Sequence, residues 1–357
     1  MSAAKMLHVD AIQTATPGKV TAPGQARRIS AAPGALRPEL LQSRFQAVLY
    51  YSKASEKESP LDVAAWMKVS LSAALPDHPV LAGRLRRDGE DGEGWEVKFN
   101  DSGVRLVQAT AEVSMAELMN SGDVRDKESK LAYWEEVDME MPNFSALFYI
   151  QVTQFEGDGY TIGISCSLLL ADPLFLANFL KSWARTHAQM LAQGRLTESP
   201  IFHLSYFERR DHPHHIKSTK LESNPTDSSS PSSSTMLFKV NRNLDAQSYD
   251  AFATACLQET TERLGAKPVP NFYLMISDHA TGLKIEPCAD ASPRSSSRAL
   301  DVAWWDQFGL DELVFAGTNK PLHVSCQVVS RVDGCLAMVM IPEGQMECVV
   351  SVTLPKA

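Results

Sequence analysis

Residues 218–235, STKLESNPTDSSSPSSST, are too polar to pack and too aperiodic to form an element, so they divide the chain into two patterned halves. A chain of 357 residues, 44% hydrophobic and 22% charged, can bury a core on each side of such a break. The expected organisation is a first domain over residues 1–195, a crossover linker over 196–235 and a shorter second domain over 236–357.

Local patterning makes both halves α/β. FQAVLYY (45–51) and ALFYIQVTQF (146–155) are rich in aromatic and β-branched residues, and YTIGIS (160–165) is a short apolar run, so all three read as strands. Between Leu61 and Leu75, Val63, Trp66, Met67, Leu71 and Ala74 share one face at helical spacing, and Pro76 ends the segment. A second helix is predicted from Pro173 to Gln193. Leu176, Phe179, Leu180, Trp183, His187, Met190 and Leu191 form its stripe, Asp172 can cap it, Pro173 suits its first turn and Gly194 stops it. After the linker come a strand at 236–240, a helix with Tyr249, Phe252, Ala253, Cys256 and Leu257 on one face, and a strand at 272–277. Three further strands are expected at 322–329, 335–341 and 348–354.

The net charge of −9 argues against nucleic acid or an anionic membrane surface as a general partner, since either favours a basic face. The six cysteines fall singly, with no CxxC spacing, and most lie in apolar runs, so they read as reduced thiols. The N-terminal residues carry no apolar signal-like region and no uninterrupted run of about 18 apolar residues occurs, which points to a cytoplasmic protein without a transmembrane segment, and the sizeable core with unpaired cysteines points to a monomer.

Four segments resemble, in order and spacing, the BAHD acyltransferases of plants, which move an acyl group from coenzyme A to an alcohol or amine. They are HPVLAGRLRR (78–87), residues 94–115, IQVTQFEGDGYTIGIS (150–165) and FLKSWA (179–184). The resemblance implies a two-domain α/β fold with mixed sheets, here with a shortened second domain. It also implies no bound cofactor and acyl-CoA as co-substrate. The family's first signature is a histidine, three residues and an aspartate between a strand and a helix. The corresponding stretch runs from Ser167 to Pro173, with Leu168 at the histidine position, Asp172 in place and Pro173 where glycine is usual.

The second signature, an aspartate-phenylalanine-glycine-tryptophan-glycine run followed by lysine-proline, is degraded. After Trp305 only Phe315, Lys320 and Pro321 match convincingly, and Gly317 is displaced. Ala303 stands where a hydroxyl residue is often found. By resemblance, Ala303, Trp305, Phe315 and Gly317 would line the substrate and coenzyme A channel. NFYLMISDHATGLKIEP (271–287) resembles the strand and proline-rich turn midway through the family's second domain, but the chain then reaches Trp305 almost at once.

An alcohol attacks a thioester efficiently only when a base takes its proton, and histidine suits that task because its pKa lies near neutrality. Leu168 has no lone pair to offer. Loss of a general base costs about 10²–10⁴ in rate, so two functions follow from the resemblance. One is acyl transfer that is weak or lost. The other is a non-catalytic accessory protein similar to eceriferum-type members that assist fatty-acid elongation in wax synthesis, with an elongation enzyme as protein partner.

Other residues weigh less. Asp172 reads first as a helix cap. His212, His214 and His215 have no carboxylate or cysteine at ligand spacing, so they read as solvated linker and no metal site is expected. His279 follows a strand and is a candidate substitute base. Cys166 and Ser167 sit at the right strand end for nucleophiles but lack a nearby histidine. Arg84, Arg86 and Arg87 read as a solvated turn, and Phe179, Trp183 and His187 as core.

Overall fold

The computed structural model describes residues 6–32, 34–52, 60–88, 94–121, 124–157, 159–196, 215–221, 233–241, 249–278, 281–289, 300–342 and 347–355. The chain opens with β1 (Met6–Ala15), β2 (Ala26–Ala31), the short helix α1 (Pro38–Leu41), β3 (Arg44–Tyr51) and α2 (Pro60–Ala74). Turns of 3₁₀ helix at Leu75–Asp77 and Pro79–Ala82 lead to β4 (Arg84–Asp88), β5 (Gly94–Lys98), β6 (Val104–Ala111), α3 (Met115–Met119) and α4 (Val124–Leu131). Then come β7 (Phe148–Phe155), β8 (Tyr160–Ser167) and the long helix α5 (Pro173–Ala192). The remainder contributes β9 (Lys217–Lys220), β10 (Ser233–Asn241), α6 (Tyr249–Leu264), β11 (Asn271–Asp278), β12 (Gly282–Ala289) and β13 (Asp301–Ala303), followed by β14 (His323–Val329), β15 (Cys335–Ile341) and β16 (Glu347–Pro355).

Two mixed sheets result, and each takes strands from both halves of the chain. The seven-stranded sheet runs β14-β3-β8-β7-β6-β1-β9, with β6 and β7 parallel. Its edge strand β14 comes from the second half and pairs with β3 from Val329 opposite Arg44 to His323 opposite Tyr50. The nine-stranded sheet runs β13-β10-β16-β15-β11-β12-β2-β5-β4, so β2, β4 and β5 of the first half extend it through a parallel β12–β2 contact. The division of the chain at 195 and 235 therefore does not coincide with the division into sheets. A buried carboxylate reinforces the exchange: Glu128 accepts hydrogen bonds from Tyr50 Oη at 3.1 Å and from Ser325 Oγ of β14 at 2.8 Å.

The linker also needs correction. Lys217–Lys220 forms β9 on the outer edge of β1, and Ser233–Thr235 already belongs to β10, while residues 222–232 lie outside the described residues. An edge strand with a polar Lys-Ser-Thr-Lys sequence buries little, so no apolar period marks it in sequence. His215, expected to be solvated, stacks on His8 with ring centroids 4.0 Å apart, and its Nδ1 lies 2.8 Å from Asp10 Oδ1. His212 and His214 lie outside the described residues. Arg84 is likewise not part of a solvated turn: it is buried, and its guanidinium donates to the carbonyls of Gly83, Ser102 and Gly103.

The period-2 pattern of β15 explains how one strand serves two cores. Leu336, Met338 and Met340 face the large cluster that holds α2 and α5, whereas Cys335, Ala337, Val339 and Ile341 face the cluster covered by Ala253, Cys256 and Leu257 of α6. A strand buried on both faces reads as a continuous apolar run, as CLAMVMI does. β8 is buried throughout, and at Gly163 a Cβ would lie 1.7 Å from the Leu131 carbonyl oxygen. Only glycine fits there. Gly163→Ala must displace the end of α4 or shift a strand paired on both sides, and is expected to cost about 3 kcal/mol or more; a urea-denaturation midpoint equal to the parent's would disprove this approach.

Between α2 and α5 the predicted stripe packs as core, with a polar knot at its centre. Trp183 Nε1 donates to Ser70 Oγ at 2.9 Å, His187 Nδ1 lies 2.8 Å from the same oxygen, and the imidazole stands edge-on to Phe315 at 5.6 Å. Burial, which penalises the charged ring, holds the His187 pKa down at about 4. Unfolded histidine titrates near about 6.5. The unfolded chain thus binds the extra proton between these values, so stability is unaffected above the higher one and falls as the pH drops towards the lower. The loss should reach about 3 kcal/mol. Unfolding free energies from pH 7 to pH 4 should show that loss in the parent and not in His187→Gln; parallel profiles would disprove it.

Candidate functional site

The signature stretch sits where β8 leaves the middle of the seven-stranded sheet and turns into α5. Ser167 ends the strand, donating its N–H to the Leu147 carbonyl at 2.8 Å, and Leu168 donates its own to the Ser43 carbonyl at 3.1 Å. Within the turn, the N–H groups of Leu170 and Ala171 are received by the Ser167 carbonyl at 2.9 and 3.1 Å, while Ser167 Oγ accepts from Leu169 N at 3.2 Å. Leu168, Leu169, Leu170 and Ala171 are all buried, Leu168 to 1% exposure. The leucine is a core residue, surrounded by the large apolar cluster rather than by polar groups.

Asp172 closes the turn. Its Oδ1 accepts from Phe175 N at 2.8 Å and so caps α5, where a carboxylate also meets the positive end of the helix dipole. Its Oδ2 accepts from Ser277 Oγ of β11 at 2.6 Å, tying the turn to the other sheet. From β2, Arg27 Nη2 donates to the carbonyls of Leu169 and Leu170, the latter at 2.9 Å. Burial pulls the Arg27 pKa down, and the charge of Asp172 pulls it back up. Local sequence gave no sign of Arg27 or Ser277, because each meets the turn only through pairing of β2 with β12 and β12 with β11.

The nucleophile candidates are closed off. Cys166 is fully buried, and desolvation raises its thiol pKa far above the usual range, so no thiolate forms. Ser167 is equally buried and has no histidine against it. His279 lies outside the described residues. A histidine that sequence reasoning passed over, His78, lines a cleft of 670 Å³ beside Asp172 and Asp278, its ring edge-on to Phe175 and Phe179. In sequence it is simply the first residue of HPVLAGRLRR.

Of the four residues expected along a channel, Ala303 and Phe315 belong to the large apolar cluster, Trp305 packs against it and Gly317 is exposed. Ala303 is buried on β13 opposite Leu237, at the edge of the nine-stranded sheet. Trp305 does approach the signature, with its ring 5.3 Å from Phe45, which pairs with Cys166. Phe315 packs instead against Trp183 at 4.7 Å, and Gly317 sits at an exposed turn with φ of 55°. Two short 3₁₀ segments, Trp305–Phe308 and Leu310–Glu312, lie between Trp305 and Phe315. Among the described residues, no group of three or more histidine, cysteine, aspartate or glutamate side chains could hold a metal ion, and no helix is long and apolar enough to cross a membrane.

Comparison with known proteins agrees with this architecture. A family model described as Transferase family matches residues 39–268. ECERIFERUM 26-like of Arabidopsis thaliana is 31% identical over 145 residues, 40% of this chain and 33% of that protein. ECERIFERUM 2 of the same plant is 25% identical over 167 residues, 45% of this chain and 38% of that protein. The crystal structure of vinorine synthase superposes with a TM-score of 0.50 at 18% identity, covering 98% of this chain and 95% of the other. Two mixed sheets joined at a strand–turn–helix signature define a BAHD-type acyltransferase fold, and the chain belongs to that transferase family. In sequence, the matches span between a third and two fifths of the two ECERIFERUM relatives.

Arg27→Met should remove the donor to two buried carbonyls and leave Asp172 without its facing charge, lowering stability by about 2–4 kcal/mol. Arg27→Lys should recover only part of this, because a single ammonium cannot reproduce the planar fork. Chemical denaturation of both variants checks the order; equal stability of parent and Arg27→Met would show that the turn needs no guanidinium.

Proposed function

We propose that this protein keeps the frame of an acyl-CoA-dependent transferase while its transfer step, from an acyl thioester to an alcohol or amine, is lost or slowed by orders of magnitude. The observation that carries this reading is Leu168: it occupies the place of the base and is 1% exposed in an apolar cluster. With leucine at position 168, attack on a thioester leaves the acceptor's proton without a base at that position. Nearby Ser43, whose carbonyl receives the Leu168 N–H, has a buried hydroxyl without a hydrogen-bond partner among the described residues.

The similarity to ECERIFERUM 26-like and ECERIFERUM 2 favours a second reading, an accessory protein that binds acyl-CoA and a fatty-acid elongation enzyme without performing transfer itself. In both readings the protein acts in the cytoplasm as a monomer and needs no bound cofactor.

The test assays the parent, Leu168→His and His78→Gln with a panel of acyl-CoA thioesters and phenolic, alcohol and amine acceptors. Parent turnover should be indistinguishable from a no-enzyme control. Leu168→His should recover little, since an imidazole works only when its tautomer and orientation are held, and a misplacement of about 1 Å already costs about 10²-fold. Placing that ring in an apolar pocket should also destabilise the fold by about 1–3 kcal/mol. Robust parent turnover abolished in His78→Gln would overturn the proposal and assign the base to the cleft.

A further inference from the structure

One face of α5 forms a continuous line: Leu174, Asn178, Lys181, Arg185 and Ala188 recur at intervals of four, three, four and three residues. Two hollows follow that line. The first, of 670 Å³, takes in Leu174, Phe175 and Asn178; the second, of 620 Å³, takes in Asn178, Lys181 and Arg185 and is walled by residues 312–314. Asn178 lines both, so together they make one trough, in which Arg185 lies about 16 Å beyond Leu174 along the helix.

The two ends differ in chemistry. Around Leu174 the walls include Phe99, Phe175 and Ile341, and the charged groups there are mixed, with Asp77, Asp172 and Asp278 opposing Arg27 and Arg28. Around Arg185 the balance is basic. Lys181 and Arg185 stand one helical turn apart, and among the described residues neither forms an ion pair, while Glu312 on the facing wall is paired with Lys320. The backbone of Gly309, at φ 66°, approaches the end of the Lys181 side chain so closely that a Cβ there would lie 3.0 Å from Nζ. Among the described residues these two cations stand without an ion pair in a concavity, although the chain's net charge is −9. An anion repelled by the aspartates of the upper end would be drawn to the lower one.

We propose that this trough binds a phosphate-bearing amphiphile, with its phosphate at Lys181 and Arg185 and its apolar portion along Leu174 and Phe175. Guanidinium and ammonium groups one turn apart suit a tetrahedral dianion, and the apolar end supplies the surface that fixes which way the ligand lies. The site does not involve Leu168 and stands or falls independently of acyl transfer.

The test is calorimetric titration of the intact protein with dodecyl phosphate below its micelle concentration, beside dodecanol and inorganic phosphate. Dodecyl phosphate should bind best and weaken as ionic strength rises. The double variant Lys181→Gln/Arg185→Gln should lose about tenfold or more in affinity, while the charge-matched surface control Lys19→Gln/Lys267→Gln should lose little. Leu174→Asn should weaken dodecyl phosphate but not inorganic phosphate. Equal affinity in the double variant and the control, or equal binding of dodecanol and dodecyl phosphate, would overturn the assignment.

Discussion

The carboxylate of Asp172 joins the parts of this molecule that would otherwise have no reason to stay together. One oxygen caps the longest helix, the other holds Ser277 of the opposite sheet, and its charge faces Arg27 from a strand in the first tenth of the chain. Remove that group and three separate polar elements are left at a junction with little water to replace it. The aspartate of the signature is therefore explained by architecture, whatever the protein does with substrate.

That junction holds its shape without help from the side chain at position 168. The turn over residues 167–171 is held by backbone hydrogen bonds, by Ser167 Oγ and by Arg27, none of which requires a polar side chain at position 168. Leu168 can then pack as an ordinary core residue. The fold here draws on the aspartate and the arginine, not on the side chain at position 168.

Strand exchange supplies the second constraint. β14 crosses to the seven-stranded sheet, and β2, β4 and β5 cross to the nine-stranded one, so neither half of the chain completes its own sheet. β15 and its neighbours then carry a core on each face.

What could be read from sequence is what depends on near neighbours along the chain. The stripe of α5 with its Asp172 cap, the two-sided strands CLAMVMI and FQAVLYY, and the leucine at position 168 of the signature stretch are all legible from residue type and local period. Three matters were decided only by tertiary structure. β9 is an edge strand with no apolar face to announce it, and Arg27 acts on a turn 142 residues away through two intervening strand pairings. Trp305 meets Phe45 beside the signature strand whereas Phe315 meets Trp183 and His187 of α5, contacts that no local pattern announces. Local sequence sets which face of an element is apolar, since that periodicity is intrinsic to helix and strand. Which polar groups meet across the junction depends on strand order, and strand order is settled by the burial of all the apolar faces at once.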